Sequence, residues 1–201
     1  MPEPGENIES ASKAREEGDA RGARLNAAVA ITVALLATFM GICKVKDDNI
    51  VQAMQQAQAD KLDHWGYYQA RNLRQQMAEA TATQLELSRP LATPATAAAH
   101  DAAIARYRAL EKDQARKKDE VRAMADQDQK NYDALNYRDD QFDLSDALLA
   151  VAIAMLAVTA LTRLWFLYWL SLVPTALGVM MGVAGLAALP IHPDALMKLL
   201  S

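Results

Sequence analysis

The chain has 201 residues, 52% of them hydrophobic and 23% charged, with a formal charge of -4 and a single cysteine, Cys43. The mild negative charge excludes the concentrated basic surface that nucleic-acid binding needs, and one cysteine makes neither an internal disulfide nor a metal site by itself. These averages suit a soluble domain, yet they mix two unlike parts: three apolar runs free of Asp, Glu, Lys and Arg, and about a hundred polar residues between the first and second.

Residues 1–24 read as a polar, flexible tail carrying Glu3, Glu6, Glu9, Glu16, Glu17 and Asp19. The first apolar run, 25–43, follows. A helix rises 1.5 Å per residue, so roughly 20 apolar residues cross a hydrocarbon core of about 30 Å. The acidic leader and the length of the run argue for a retained anchor over a cleaved signal. Ile42 is too large to precede a lipoprotein-type cysteine. Ala27, Ala30, Ala34, Ala37 and Gly41 recur at spacings of three and four, a small-residue seam of the kind that lets membrane helices approach closely.

Residues 44–142 predict an extramembrane helical hairpin. Strong helix formers dominate the segment, with a single glycine, Gly66, and two prolines, Pro90 and Pro94. Proline lacks an amide N–H and clashes with the preceding turn, so one helix ends near Ser88 and the turn falls at 88–95. Thr93 is placed to cap the next helix, with Pro94 at its first position. The two legs are nearly equal and would each reach roughly 65–70 Å. Paired antiparallel about that turn, facing residue numbers sum to about 183, which sets Leu62 near Val121. Half of the heptad positions on the return leg are polar, so the coiled-coil-like seam is weak and further partners are expected.

One cluster stands apart. In Asp63-His64-Trp65-Gly66-Tyr67-Tyr68-Gln69-Ala70-Arg71-Asn72-Leu73-Arg74, the residues Trp65, Tyr68, Arg71 and Arg74 recur every three positions and occupy adjoining helix faces. Two uses fit it: a recognition patch for a partner protein, or an aromatic plug in the hairpin's own packing. His100 and His192 lie too far from His64 in sequence to suggest a ligand site.

The second and third runs read as transmembrane helices over 143–161 and 165–189. Gly178 and Gly182 form a GxxxG with Gly185 beyond it, and Ala150 and Ala154 repeat the spacing. Thr162-Arg163-Leu164 permits only a tight turn. Trp165, Phe166, Tyr168 and Trp169 make an interfacial aromatic belt, and Pro174 is positioned to kink the third helix. Residues 190–201, with Leu196, Leu199 and Leu200, suggest a short interfacial tail. Arg21, Arg24 and Arg163 share one side, which favours a cytoplasmic amino terminus and an external hairpin.

The stretch His64-Trp65-Gly66-Tyr67-Tyr68-Gln69-Ala70-Arg71, with Arg138-Asp139-Asp140-Gln141-Phe142-Asp143-Leu144 later, resembles a bacterial membrane family known only as a domain of unknown function. The resemblance runs from about Leu25 onward and implies one anchor, a coiled hairpin and two closely spaced spans. It implies a bacterial origin, and it supplies no activity.

The sequence thus predicts an all-α membrane protein: three transmembrane helices with a long antiparallel helical hairpin between the first and second. No catalytic constellation, metal-ligand set or cofactor motif is present. The function expected is non-enzymatic and structural or scaffolding, in the bacterial inner membrane, with the lipid bilayer and either further copies or a larger membrane complex as partners. The alternative is an oligomeric channel or transporter component. Against it, intramembrane ionisable residues usually mark ion paths, and here only Asp143, Asp146 and Arg163 border the runs.

Overall fold

A computed structural model describes the backbone of residues 4–191, with side chains for Lys13 and from residue 15 onward. The tail residues 192–201, including Leu196, Leu199 and Leu200, lie outside the described residues. Among the described residues every long element is a helix: α1 spans Pro4–Ser88, α2 Ala97–Thr162 and α3 Trp165–Ala187, with one 3-10 turn at Arg89–Leu91. Each of the three holds a stretch that is long and apolar enough, by length and composition, to cross a membrane.

Neither leg breaks from its adjoining apolar run, because no proline falls within α2 and only Pro4 begins α1. Residues 4–24, expected as a flexible tail, are helical instead. Their Ala, Glu, Lys and Arg are good helix formers, and extending a helix already nucleated downstream costs far less than starting one.

The chain divides into two compact units, one of residues 1–51 with 136–201 and the other of residues 52–135. The second is a helical hairpin. Its turn begins at Ser88, whose hydroxyl donates to the Leu85 carbonyl, and helical bonding resumes where the Thr93 carbonyl accepts from Ala97 at 2.9 Å. The Thr96 hydroxyl accepts the Thr93 amide at 3.0 Å, and Pro94, expected at the first helical position, lies in the turn before α2, which begins at Ala97. Arg89 holds Asp101 through two hydrogen bonds, the longer 2.8 Å, and Arg108 grips Glu86 at 2.8 and 2.9 Å.

The register differs from the expected one. Lys61 donates to Gln129, His64 Nδ1 lies 2.6 Å from Asp128 Oδ2, and Arg71 donates to Gln114 at 3.1 Å. Facing numbers therefore sum to about 190, not 183. Helical side chains lean toward the amino end of their own helix. In an antiparallel pair that lean carries each residue of the first leg toward a partner further from the turn. Leu62 is 65% exposed and does not face Val121.

The other unit packs by heptads. On α1 the buried positions are Leu25, Val29, Leu36, Cys43, Asp47 and Ile50; on α2 they include Phe142, Ser145, Leu149, Ala152, Leu156 and Thr159. The α1 series steps by threes, fours and sevens and the α2 series by threes and fours, as left-handed helix packing requires. Val33, Phe39 and Met40 of α1 and Trp165, Tyr168 and Val179 of α3 close around this core. The link from α2 to α3 is the expected tight turn, with Arg163 in the left-handed region at φ 57°. The Arg163 side chain lies against Gly22 and reaches within 3.9 Å of Asp19, so the turn sits beside the stretch preceding the first apolar run.

Candidate functional site

The glycines of α3 are filled within the chain. A Cβ at Gly178 would meet Leu149 Cγ at 2.8 Å, one at Gly182 would meet Phe39 at 2.7 Å, and one at Gly185 would meet Phe142 at 2.9 Å. The absence of side chains there lets α3 approach α1 and α2, and Ser145 Oγ donates to the Gly178 carbonyl at 2.8 Å.

The seam on α1 is not filled. Ala27, Ala30, Ala34, Ala37 and Gly41 are all exposed, and a Cβ at Gly41 would meet nothing within 4 Å. At 100° per residue these positions centre roughly opposite Leu25, Val29, Leu36 and Cys43. The helix thus carries two faces. Leu25, Val29, Leu36 and Cys43 are buried in the chain, while the small residues are exposed, as are the larger Ile31, Leu35 and Ile42 beside them.

The aromatic cluster sits on the hairpin. Trp65 and Tyr68 are half-buried and meet edge to face, with ring centroids 5.2 Å apart. Arg71 turns toward Gln114, which is buried, while Arg74 is exposed at the rim of a groove of about 280 Å³ that also takes in Met77, Tyr107 and Leu110. The four residues do not converge on one point. Arg71 reaches across to the return leg, Trp65 and Tyr68 pack on each other, and Arg74 stands at the rim of the groove.

Two groups of residues escaped the sequence reading. Arg138 donates to the Gly185 carbonyl at 2.9 Å, and Gln141, fully buried, donates to the Leu189 and Ile191 carbonyls at 2.8 and 2.6 Å. These bonds satisfy backbone oxygens at the end of α3, whose partial negative charge suits the Arg138 guanidinium. There Ala188 adopts the left-handed conformation at φ 53°, and the Leu189 amide bonds back to Ala184. The string from Arg138 to Leu144 therefore has a physical use: Arg138 and Gln141 close the end of α3, and Phe142 fills the space over Gly185.

The second group is acidic. Asp47, one turn beyond Cys43, is only 4% exposed, and on α2 Asp139, Asp140, Asp143 and Asp146 follow the same helix face. Lys44 donates to Asp47 Oδ2 at 2.7 Å, and this bond raises the Lys44 pKa. Asp47 Oδ1 is buried without a hydrogen-bond donor. Burial, a hydrogen bond to Asp47 and the negative field of Asp143, Asp47 and Asp140 push the Asp139 carboxyl up to about 6. The signal in the sequence was the pair of acidic strings flanking the hairpin, Asp47-Asp48 and Asp139-Asp140, whose meeting depends on the return of the chain. Among the described residues no three His, Cys, Asp or Glu side chains converge as metal ligands would.

Residues 25–188, most of the chain, match the family described as Domain of unknown function (DUF4337). The chain belongs to the DUF4337 family. The matched stretch takes in the aromatic cluster, the acidic group and the α3 glycines, and it begins at the first residue of the first apolar run. No curated protein and no solved structure matches the chain.

Proposed function

We propose that this DUF4337 chain is a non-enzymatic structural or scaffolding protein of the bacterial inner membrane, anchored by three transmembrane helices and joined to further copies of itself or to a larger membrane complex. The observation that carries this reading is the bare seam on α1. Lipid supplies no hydrophobic force between helices, so small residues gain by letting another backbone approach. The α3 glycines gain in that way within the chain. Five small residues aligned over four turns of α1, all of them exposed among the described residues, suit a helix from outside the chain.

Within this reading the amino terminus is cytoplasmic and the hairpin external. The seating of Arg163 beside Gly22 supports a common side for the turn and the start of the first span, and that side carries Arg21 and Arg24. Trp65 and Tyr68 act in the hairpin's own packing, and Arg74, on the open side, is the member of the cluster available to a partner. A second reading, an oligomeric channel or transporter component, draws on one observation: the buried Asp47 and its carboxylate neighbours stand at the end of the first apolar run. Particle mass in detergent, compared between the wild type and Ala34→Leu, tests the scaffold reading.

A further inference from the structure

We propose that Asp47 and Asp139 hold one proton between them, so that the pair is a proton-binding site joining α1 to α2. Asp47 is almost wholly buried, and its two oxygens are treated unequally. Oδ2 accepts from Lys44, while Oδ1 is buried with no donor among the described residues. A buried acceptor left without a partner is costly, the more so when charged, and native structures seldom tolerate one. Besides Lys44, the Asp139 carboxyl on α2 is the side-chain neighbour that interacts with Asp47. An ionised carboxylate has nothing to donate. A protonated Asp139 donates its O–H to Asp47 Oδ1 and satisfies it, as paired carboxyls do when like charges cannot both persist.

Most of the charged groups around the pair favour that proton. On α1 the facing groups are Cys43, Lys44 and Asp48, of which Lys44 alone is cationic and is already bonded to Asp47. On α2 they are Asp140, Asp143 and Asp146, all acidic, while the Arg138 guanidinium is turned to the Gly185 carbonyl. α3 carries no charged side chain between residues 165 and 187. The raised Asp139 pKa of about 6 agrees with this geometry. Asp139 is half-buried, so the proton passes directly between it and bulk water. Loss of the proton leaves two adjacent carboxylates with one lysine, and α1 and α2 repel at this point.

The sign of the linkage follows. A carboxyl whose folded pKa lies above its ordinary value of 3.8 stabilises the fold at low pH, and that contribution is lost as the pH rises from about 4 to about 6. The test uses the full-length protein in detergent. Wild-type melting temperature should fall by several degrees from pH 4.5 to 6.5, and an infrared carbonyl band of a protonated carboxyl should fade with a midpoint near pH 6. Asp139→Asn offers Asp47 Oδ1 a neutral amide donor, so it should keep the low-pH stability, lose most of the slope and lack the band. Asp47→Asn should likewise abolish the band near pH 6. The proposal is overturned if the wild type shows no such band, a readout that needs no variant to fold, or if Asp139→Asn retains the band or the full slope. It is also overturned if sodium or calcium restores the wild-type melting temperature at pH 6.5 but not that of Asp139→Asn, since the pair would then bind a cation.

Discussion

Ser145 Oγ donates a 2.8 Å hydrogen bond to the Gly178 carbonyl, and the two helices come that close where residue 178 has no Cβ to strike Leu149. The same logic repeats one and two turns on, where Gly182 receives Phe39 and Gly185 receives Phe142. Gly182→Leu should therefore destabilise the chain by about 1–3 kcal/mol or more, the usual effect of overfilling a packed interior. Gly41→Leu, on the bare face, should leave the melting temperature of the single chain unchanged. Thermal unfolding followed by circular dichroism separates the two. Equal effects would mean that both seams pack alike.

The hairpin register is open to crosslinking. In a Cys43→Ser background, paired cysteines replacing His64 and Asp128, or Lys61 and Gln129, should be joined within one chain by a short bis-maleimide. The pair at Leu62 and Val121 should react poorly, because Leu62 faces outward. The reverse pattern would restore a register centred on the turn.

Trp65→Ala should lower hairpin stability by about 1–3 kcal/mol, below the 3–5 kcal/mol typical of a fully buried large aromatic, because Trp65 is only half-buried. Arg74→Ala, at an exposed position, should change it by less than about 0.5 kcal/mol. If Trp65→Ala leaves stability intact and instead releases a copurifying protein, the ring serves recognition.

Much of this architecture was legible from residue chemistry. Pro90 and Pro94 fixed the turn and Thr162-Arg163-Leu164 the link to α3, because proline and very short connectors act locally, whereas the part Thr96 takes beside Thr93 was not read. The register was not legible from counting alone, since it depends on the lean of side chains across two helices. Nor was the choice of face on α1. Small residues and large ones alternate around that helix, and only the shapes of α2 and α3 decide that Leu25, Val29 and Leu36 turn inward while Ala30 and Ala34 do not. The meeting of Asp47 with Asp139 was hidden for a similar reason, as long-range juxtaposition leaves no periodic trace.

The hairpin's own carboxylates give the opposite pH response to Asp139. Hydrogen bonds from Arg108 and Arg89 hold Glu86 and Asp101 below their ordinary values of 4.5 and 3.8. Their contribution is present above those values and is lost as the pH falls below about 4. Both pairs are exposed, so the loss is small and screened by salt. Helicity measured from pH 5 down to pH 2 should show an acid limb that weakens at high salt and in Arg108→Ala. An acid limb indifferent to both would place its origin elsewhere.

The bare seam on α1 makes assembly the point on which the account turns. The most direct measurement is the protein mass of the detergent-extracted particle, with detergent subtracted, for the wild type and for the double variant Ala34→Leu with Gly41→Leu. One chain contributes 22.0 kDa. The wild type should exceed that by whole further chains or by an identifiable membrane partner, and the double variant should fall toward one chain while keeping its helicity. A wild-type particle of one chain, or a larger one whose mass the double variant leaves unchanged, would contradict the account.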